Sequence, residues 1–289
     1  MERIDLHVHS TYSDGTLTPT ELIQLAHIRN IKAIALSDHD SICGLAEGRA
    51  AAQTYGIRFI NAIELSSFVG HQEIHILGYF FHNDLSSLES FLSEVREQRE
   101  KRNKEMATRF SQYGLDISYH DVVKASSGNV ITRAHFARAL IEKNYVGSVN
   151  EAFKRYLSPH SHSSVYVERT RIPSKTTLDI IKAANGISVL AHPIRYGLDS
   201  RGVERLVSTL SEQGLQGIEA QYSSYNKLNE LELTHLAKTH HLKITGGSDF
   251  HGDIKPHIAL GDGTEKTMIP YALLDALEHP FKHSSSEQV

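Results

Sequence analysis

Short apolar runs alternate with amphipathic stretches along most of the chain. The first apolar run begins at Ile4, and six more lie at 31–37, 57–64, 73–80, 187–191, 215–220 and 242–246. Helical spacing of apolar residues occurs at 19–30, 44–55, 174–185, 200–213, 224–240 and 270–278. Strands that alternate with helices predict a parallel sheet or barrel with helices packed outside it. Seven strands are one short of a standard eightfold barrel, so the predicted fold class is α/β, a distorted (β/α)7 barrel.

The pattern changes near residue 84 and stays mostly helical, without a strong strand, to residue 171. We therefore expect a barrel built from residues 1–98 and 172–289, with a helical subdomain inserted at 99–171 that caps the substrate. The run 95–104 is heavily charged. A solvated helix face is the favoured interpretation of this run, and a cationic wall beside an anionic substrate is the alternative.

Composition narrows the classes of function. The chain has 289 residues, 30 Lys and Arg against 34 Asp and Glu, and a formal net charge of −4, which argues against a protein that coats nucleic acid by bulk charge. The single cysteine, Cys43, cannot form an internal disulfide, and we expect it to be a small buried residue. No apolar run approaches the ~20 residues of a membrane helix, and no signal segment opens the chain. We expect a soluble, cytoplasmic protein with no membrane association and no obligatory protein partner.

Histidines and carboxylates gather at or near the ends of the predicted strands. His7 and His9 are two residues apart on one strand, so their side chains share a face. Two adjacent imidazoles make a poor core but a good half-site for Zn or Mn. With the later strands, the candidate metal ligands are His7, His9, Asp14, His39, Glu64, His75, His192, Asp249 and His251. Such groups at the ends of successive strands are typical of a β/α-barrel active site.

Nine ligands are too many for one ion and suit a cluster of two or three. Imidazole mixed with carboxylate favours Mn, Zn or Fe over Mg or Ca. Three divalent ions carry six positive charges, whereas three carboxylates and one bridging hydroxide carry only four negative charges. The site therefore stays cationic, which favours a phosphate ester over a neutral amide as substrate.

Several motifs occur in the order typical of one family. They are His7-Val8-His9-Ser10, Ser37-Asp38-His39-Asp40, Glu64, His75, Ala191-His192-Pro193 and Ser248-Asp249-Phe250-His251. Over both barrel segments the sequence resembles the PHP (polymerase and histidinol phosphatase) superfamily. The inserted segment 131–138 resembles the branch of 3′,5′-nucleoside bisphosphate phosphatases and 5′-to-3′ exoribonucleases, the RNase AM-like proteins.

The resemblance implies how the ligands are shared among three ions, with Mn²⁺ favoured and Zn²⁺ or Fe²⁺ as alternatives. The first ion would be held by His7, His9, Glu64 and Asp249, the second by Glu64, His75 and His192, and the third by Asp14, His39 and His251. A metal-bridging hydroxide would be the nucleophile, with no covalent phosphoenzyme. His192, His251 and Asp249 are the candidate catalytic residues, and either histidine could alternatively act on the leaving group.

A second set of residues concerns the rest of the substrate. Thr132 can cap a helix whose first turn carries Arg133 and His135, and a helix N-terminus beside an arginine is a ready anion site. The resemblance assigns Thr132, Arg133, His135 and Arg195 to the substrate's other phosphate. Gripping a 5′-phosphate there would place the 3′-linked phosphorus over the metals.

The expected function is therefore that of a metal-dependent phosphoesterase. It would remove the 3′-phosphate of nucleoside 3′,5′-bisphosphates, release 5′-mononucleotides from 5′-phosphorylated RNA or short oligonucleotides, or do both. A histidinol-phosphate phosphatase is one alternative, and the helical insertion with its arginines argues against it. A non-catalytic metal-binding module is another, and the complete ligand set argues against that.

Overall fold

Eight strands form a single sheet in the computed structural model, which describes residues 2–126 and 130–279. The strands are β1 (Arg3–Val8), β2 (Ile31–Leu36), β3 (Arg58–Val69), β4 (Gln72–Phe80), β5 (Ile187–Leu190), β6 (Gly217–Tyr222), β7 (Lys243–Gly247) and β8 (Ile269–Pro270). Their order across the sheet is β7-β6-β5-β4-β3-β2-β1-β8. The predicted α/β barrel is confirmed. The seven predicted strands are β1–β7, and β8 is too short to show a hydrophobic period.

The sheet curls into a nearly closed barrel at β1. This strand pairs in parallel with β2 and antiparallel with β8, and beyond β7 Phe250 forms a parallel bridge with Val8. The buried Asp5 reinforces the closure, because its carboxylate accepts the backbone N–H groups of Ser248 at 2.9 Å and Gly261 at 2.7 Å. The first strand and the chain beyond the seventh are thus held side by side.

One part of the sheet departs from the predicted parallel arrangement. β3 and β4 form an antiparallel hairpin that runs from the pair Asn61 and Phe80 to the pair Val69 and Gln72, and β4 is also antiparallel to β5. Gly70 has φ +59° in the connecting turn, a conformation that glycine adopts without steric cost. The physical reason is the short connection, since a parallel crossover needs a dozen or more residues.

The described residues form ten α-helices. They are α1 (Pro19–Ile28), α2 (Leu45–Tyr55), α3 (Ser86–Arg109), α4 (Tyr119–Lys124), α5 (Arg133–Glu142), α6 (Val149–Ala152), α7 (Ser174–Ala183), α8 (Ser200–Glu212), α9 (Lys227–Thr239) and α10 (Ala272–Glu278). At the start of α1, Thr18 and Glu21 form a capping box with Pro19 in the first turn. Within the described residues, no helix combines the length and apolar character needed to cross a membrane.

The helices between residues 106 and 165 have a hydrophobic cluster of their own. Its aromatic members include Phe110, whose ring centroid lies 6.2 Å from that of Phe136 and 6.1 Å from that of Tyr156. The long α3 spans residue 98 and contributes buried side chains both to the barrel cluster and to this one. The division of the chain at residues 98 and 171 stays a prediction, and the last ten residues of the predicted second barrel segment lie outside the described part.

The expectation for Cys43 is wrong, and that for the charged run 95–104 holds only in part, because residues 97, 98, 100, 101 and 104 are exposed but two arginines are not. On α3, Arg99 is only 7% exposed and Arg102 only 5%, so the charged run is not simply a solvated face. Arg99 pairs with the buried Asp40, and the Arg102 Nε–H donates to the carbonyl of Val167 at 3.2 Å. Cys43, expected to be buried, is exposed, because it lies in the loop between β2 and α2.

Candidate active site

Five of the nine predicted ligands converge on the carboxylate of a sixth, Glu64 in β3. Glu64 is fully buried, and its Oε1 lies 2.8 Å from His75 Nδ1 and 2.9 Å from His192 Nε2. The distances from its Oε2 are 3.1 Å to His9 Nε2, 3.1 Å to His39 Nδ1 and 3.3 Å to His7 Nε2. Each oxygen of Glu64 therefore faces a different group of imidazoles.

The other two carboxylates complete the cluster. Asp14 Oδ1 lies 3.3 Å from His251 Nε2, and its Oδ2 lies 3.8 Å from His39 Nε2. Asp249 Oδ1 lies 3.3 Å from His9 Nε2 and 3.4 Å from His251 Nδ1. Every predicted ligand thus has a side-chain atom within 4 Å of at least one other member.

Four sets of these atoms have the donor types and spacing of metal sites, with the atoms of each set within 4.8 Å of one another. They are His9, Asp14, His39 and His251; His7, His9 and Asp249; His7, Glu64 and His192; and His39, Glu64 and His75. The first set contains the implied third-ion group with His9 added. The second set is the implied first-ion group without Glu64. The third set joins His7 to Glu64 and His192 of the implied second-ion group, and the fourth joins His39 to Glu64 and His75 of that group. The structure therefore brings the predicted ligands together in groups that overlap, and the division among three ions stays a prediction.

Unpartnered atoms inside the cluster fit a bound cation. Glu64 Oε2, Asp14 Oδ1, His39 Nδ1 and His192 Nδ1 are buried and have no hydrogen-bond partner within the described protein. Buried polar atoms normally have partners, so these atoms call for one. Imidazole nitrogen and carboxylate oxygen are the donors that divalent transition metals take, so the cluster is suited to divalent metal ions.

The backbone of β1 and its neighbours allows the histidines to lie so close together. A Cβ added at Gly247 in β7 would lie 2.1 Å from His7 Cβ, and one added at Gly15 would lie 2.3 Å from the His9 carbonyl oxygen. No other residue fits at either position without moving β1 or the turn that follows it. These glycines set the spacing of the cluster.

Two ligands leave their strands through unusual backbone conformations. His192 has φ +31° directly after β5, and Asp249 has φ +56° shortly after β7. Left-handed conformations cost of the order of 1–3 kcal/mol in a non-glycine residue and persist only where the surroundings enforce them. They occur here where the chain turns sharply and carries both side chains into the cluster.

Glu219 in β6 supports the cluster and was missed by sequence reasoning. Its side chain is buried, with Oε1 3.0 Å from His7 Nδ1, and its Oε2 accepts the backbone N–H of His192 at 2.8 Å. A carboxylate on the second nitrogen of a ligating histidine fixes the orientation and the tautomer of the ring. The available signal was a carboxylate between Ile218 and Ala220 in a strand that is otherwise largely apolar.

Asp38 performs a similar task for the turn that carries Asp14. Its Oδ1 accepts the backbone N–H of Ser10 at 2.8 Å and the hydroxyl of Ser13 at 2.6 Å, and its Oδ2 accepts the Ser10 hydroxyl at 2.6 Å. The turn is therefore tied to the end of β2. This placement lets Asp14 fold back over the end of β1 toward His9 and His251.

The charges of the cluster are those of a cation site. Burial alone would raise the pKa of Glu64, but its electrostatic interactions with the surrounding imidazoles, those of His39 and His75 foremost, hold that pKa well below its usual range. Burial also disfavours the charged form of His9, yet its contacts with Asp249 and Glu64 raise its pKa to about 9. The carboxylates are thus anionic and held ready for a positive partner.

A cavity of about 950 Å³ connects the cluster to the inserted helices. At one end it is lined by the ligands Asp14, His39, His75 and His251, and elsewhere by Thr132, Arg133 and Arg195. Three of the four predicted phosphate-binding residues therefore share a cavity with the cluster. The Arg133 guanidinium stacks over the rings of Phe153 at 5.6 Å and Tyr166 at 5.4 Å, which holds it in place.

The fourth predicted residue, His135, builds the start of α5. The Thr132 hydroxyl accepts the N–H of Ala134 at 3.2 Å, and His135 Nδ1 accepts the N–H of Thr132 at 2.9 Å. Burial lowers the pKa of His135 to about 4, so the ring is neutral at pH 7. As a substrate contact His135 stays a prediction.

Two further cations line the cavity and were also missed. Arg169 bonds to the hydroxyl of Ser66 and lies 3.4 Å from Glu73 Oε1. Lys255 contacts the carboxylate of Asp249. Both residues lie in stretches without secondary structure or periodicity, so the sequence carried no signal that places them at the site.

Several known proteins resemble this chain over most of its length. The model of the PHP domain family matches residues 5–171. A 5′-3′ exoribonuclease of Haemophilus influenzae is 36% identical, and the match covers 86% of this chain and 90% of the relative. A 3′,5′-nucleoside bisphosphate phosphatase of Chromobacterium violaceum is 35% identical, and the match covers 87% of this chain and 88% of the relative. A solved structure from Bifidobacterium adolescentis, assigned as a metal-dependent phosphoesterase, superposes with a TM-score of 0.84 at 26% identity, covering 96% of this chain and 95% of that one.

A nearly closed barrel with imidazoles and carboxylates gathered on a buried glutamate defines a hydrolase that uses divalent metal ions. The chain belongs to the PHP domain family.

Proposed function

We propose that this protein hydrolyses the 3′-phosphate of nucleoside 3′,5′-bisphosphates and releases 5′-mononucleotides from 5′-phosphorylated RNA or short oligonucleotides. One observation carries the proposal: a single cavity has the metal-ligand cluster at one end and the guanidiniums of Arg133, Arg169 and Arg195 elsewhere in its wall. A substrate with two phosphate groups matches two anion-binding regions. The names of the relatives from H. influenzae and C. violaceum support this substrate class.

The nine clustered residues would hold three ions, with Mn²⁺ favoured by the mixed nitrogen and oxygen donors. When bound, such ions supply charge neutralisation at the phosphoryl oxygens and lower the pKa of bound water. Glu64 would contribute to more than one ion, since its two oxygens face different imidazoles. His251 fits a ligand role better than an acid role, because its Nδ1 donates to the Asp249 carbonyl at 2.8 Å and leaves Nε2 unprotonated toward Asp14.

The residues of the inserted helices bind and orient the second phosphate. The N-terminus of α5 contributes the positive end of its helix dipole, and Arg133 adds a fixed positive charge in its first turn. Arg195 approaches from the barrel side, where its Nη1 donates to the Tyr222 hydroxyl at 3.2 Å. With the 5′-phosphate held there, the 3′-linked phosphorus is positioned over the cluster. Contacts to phosphates alone leave base preference weak.

The test compares substrates with and without a 5′-phosphate in the presence of Mn²⁺. We expect a higher kcat/KM for adenosine 3′,5′-bisphosphate than for adenosine 3′-monophosphate, and for a 5′-phosphorylated oligoribonucleotide than for its 5′-hydroxyl form. Arg133→Met should reduce this preference by about tenfold or more, the equivalent of one charge-assisted hydrogen bond.

Arg201→Met, on the exposed surface of α8, is the matched control and should leave the preference unchanged. Equal rates with and without the 5′-phosphate in the unmodified protein would contradict the proposal. Faster turnover of histidinol phosphate would favour that alternative instead.

A further inference from the structure

Lys255 places a positive charge at the metal-ligand end of the cavity. It follows the short 3-10 turn Gly252–Ile254 beyond β7, and its Nζ lies 2.5 Å from Asp249 Oδ2. Among the described lysines and arginines, it alone comes within 4.0 Å of a side-chain oxygen of Asp14, Glu64 or Asp249. Its side chain is 23% exposed and forms part of the cavity wall.

The two oxygens of Asp249 face different surroundings. Oδ1 faces the imidazoles of His9 and His251, as a metal ligand would. Oδ2 faces away from them and accepts both the Lys255 ammonium and the hydroxyl of the buried Tyr222. Lys255 therefore does not compete with the imidazoles for Oδ1. Because Tyr222 already donates to Oδ2, holding Asp249 in place does not require a lysine.

The Lys255 ammonium has a donor to spare. It carries three N–H groups, and both of its hydrogen-bond acceptors in the described structure belong to Asp249: Oδ2 at 2.5 Å and the backbone carbonyl at 3.5 Å. At least one N–H group remains for a ligand in the cavity. A strongly hydrated point charge of this kind binds phosphoryl oxygens without the directional demands of arginine.

We propose that Lys255 is a catalytic residue that contacts a non-bridging oxygen of the phosphoryl group undergoing hydrolysis. The inference rests on the proposed function and extends it to the reacting phosphate. Arg133 and Arg195 act on the distant phosphate, whereas Lys255 acts at the cluster. A fixed cation there stabilises the charge that the phosphoryl oxygens carry in the transition state.

This division of labour predicts different effects for the two kinds of residue. Loss of Lys255 should slow every substrate by a similar factor and leave the preference for a 5′-phosphate unchanged. Loss of Arg133 should change that preference. A Lys255 that merely positioned Asp249 would instead act through metal affinity.

The experiment compares the unmodified protein with Lys255→Met, Lys255→Arg and, as control, Lys32→Met, which alters an exposed lysine on β2. At saturating Mn²⁺, we expect Lys255→Met to weaken the binding of inorganic phosphate in calorimetry by about tenfold. We expect its kcat for adenosine 3′,5′-bisphosphate to fall about 100-fold. Lys255→Arg should retain most of the phosphate affinity because it keeps the charge, and Lys32→Met should match the unmodified protein.

Two results would overturn the inference. One is unchanged phosphate affinity in Lys255→Met, and the other is full recovery of its activity as Mn²⁺ is raised, which would make Lys255 a positioning residue. Far-UV circular dichroism checks folding, and Lys255→Gln serves in its place if Lys255→Met does not fold. If the unmodified protein turned over no nucleotide, the proposed function would fail, while the comparison of phosphate affinities would still decide the role of Lys255.

Discussion

At the scale of single residues, the site is built from side chains whose two polar ends have different partners. Glu64 divides its oxygens between two groups of imidazoles, and Asp249 divides its own between imidazoles and Lys255. Glu219 holds the ring of His7 with one oxygen and the backbone of His192 with the other. Each such residue fixes two neighbours at once, so replacing it disturbs more than one contact.

Glu219 provides a residue-scale prediction. Glu219→Gln keeps the size of the side chain but removes the charge that orients His7, so we expect the affinity for Mn²⁺ to fall by about 10- to 100-fold. Titration of metal-free protein with Mn²⁺ in a calorimeter measures the change. Glu212→Gln, exposed at the end of α8, is the control. Equal affinity in Glu219→Gln and the control would show that His7 needs no support.

The sequence predicted the residues that cluster at the site and missed those that support them, for a physical reason. His7, His9, Asp249 and His251 interrupt apolar strands or follow them in recognisable motifs, so both pattern and order identify them. Glu219 is one carboxylate within a strand, and a carboxylate in that position usually faces solvent. Its role depends on β6 lying between β5 and β7, which only the folded barrel shows.

At the scale of elements, α3 and α5 connect the inserted part of the chain to the barrel. Helix α3 buries Arg99 against Asp40, which is the neighbour of the ligand His39 and also accepts the N–H of Ser66 at 3.2 Å. Helix α5 begins at the cavity wall with a capping box that uses a histidine. Charge counting along 95–104 could not reveal the buried pair, because the pattern of α3 does not show which face meets the barrel.

The α3 contact predicts unequal effects of two charge removals on one helix. Arg99→Met leaves Asp40 buried without its partner, so the free energy of unfolding should fall by about 3–5 kcal/mol. Lys101→Met, on the exposed face of α3, should change it by less than about 0.5 kcal/mol. Urea unfolding followed by circular dichroism measures both. Similar small effects would restore the interpretation of a solvated face.

The capping box of α5 predicts a pH dependence. At pH values above 6.5 His135 is neutral in folded and unfolded chains alike, but as the pH falls toward its folded pKa of about 4 only the unfolded chain takes up the proton. Stability is therefore lost on acidification, by about 2 kcal/mol between pH 6.5 and pH 5. His135→Gln keeps a side chain that can complete the capping box but does not titrate. Between pH 6.5 and pH 5, the free energy of unfolding of this variant should therefore fall by about 2 kcal/mol less than that of the unmodified protein. Urea unfolding of both proteins at the two pH values tests this, and equal losses would contradict it.

At the scale of the whole molecule, the barrel brings residues that are far apart in sequence to one buried centre. The strand pattern predicted β1–β7 because their apolar runs are long enough to show a period. It could not predict the antiparallel placement of β4 or the two-residue β8, since both follow from how the sheet closes. Around the centre, buried carboxylate and imidazole atoms lack hydrogen-bond partners within the described protein, and bound cations would supply them.

Metal loading should therefore stabilise the entire fold. At an Mn²⁺ concentration of 100 times the dissociation constant, each independent site adds about 2.7 kcal/mol to the free energy of unfolding. Urea unfolding of protein treated with EDTA, with and without added Mn²⁺, measures the gain. Glu64→Gln removes the shared carboxylate, so added Mn²⁺ should raise the free energy of unfolding of this variant by less. No stabilisation of the unmodified protein would contradict the assignment of the cluster as a metal centre.

The meeting of β1 with the segment around Phe250 sets the order of events during synthesis on a ribosome. His7 and His9 precede their neighbours Asp249 and His251 by some 240 residues in the chain. A nascent chain can therefore form α1, α2 and the β3–β4 hairpin early, but it cannot complete the cluster until the segment beyond β7 has been made. Binding of a full set of metal ions would have to follow that step, and shortened translation products that end before β7 would lack Asp249 and His251.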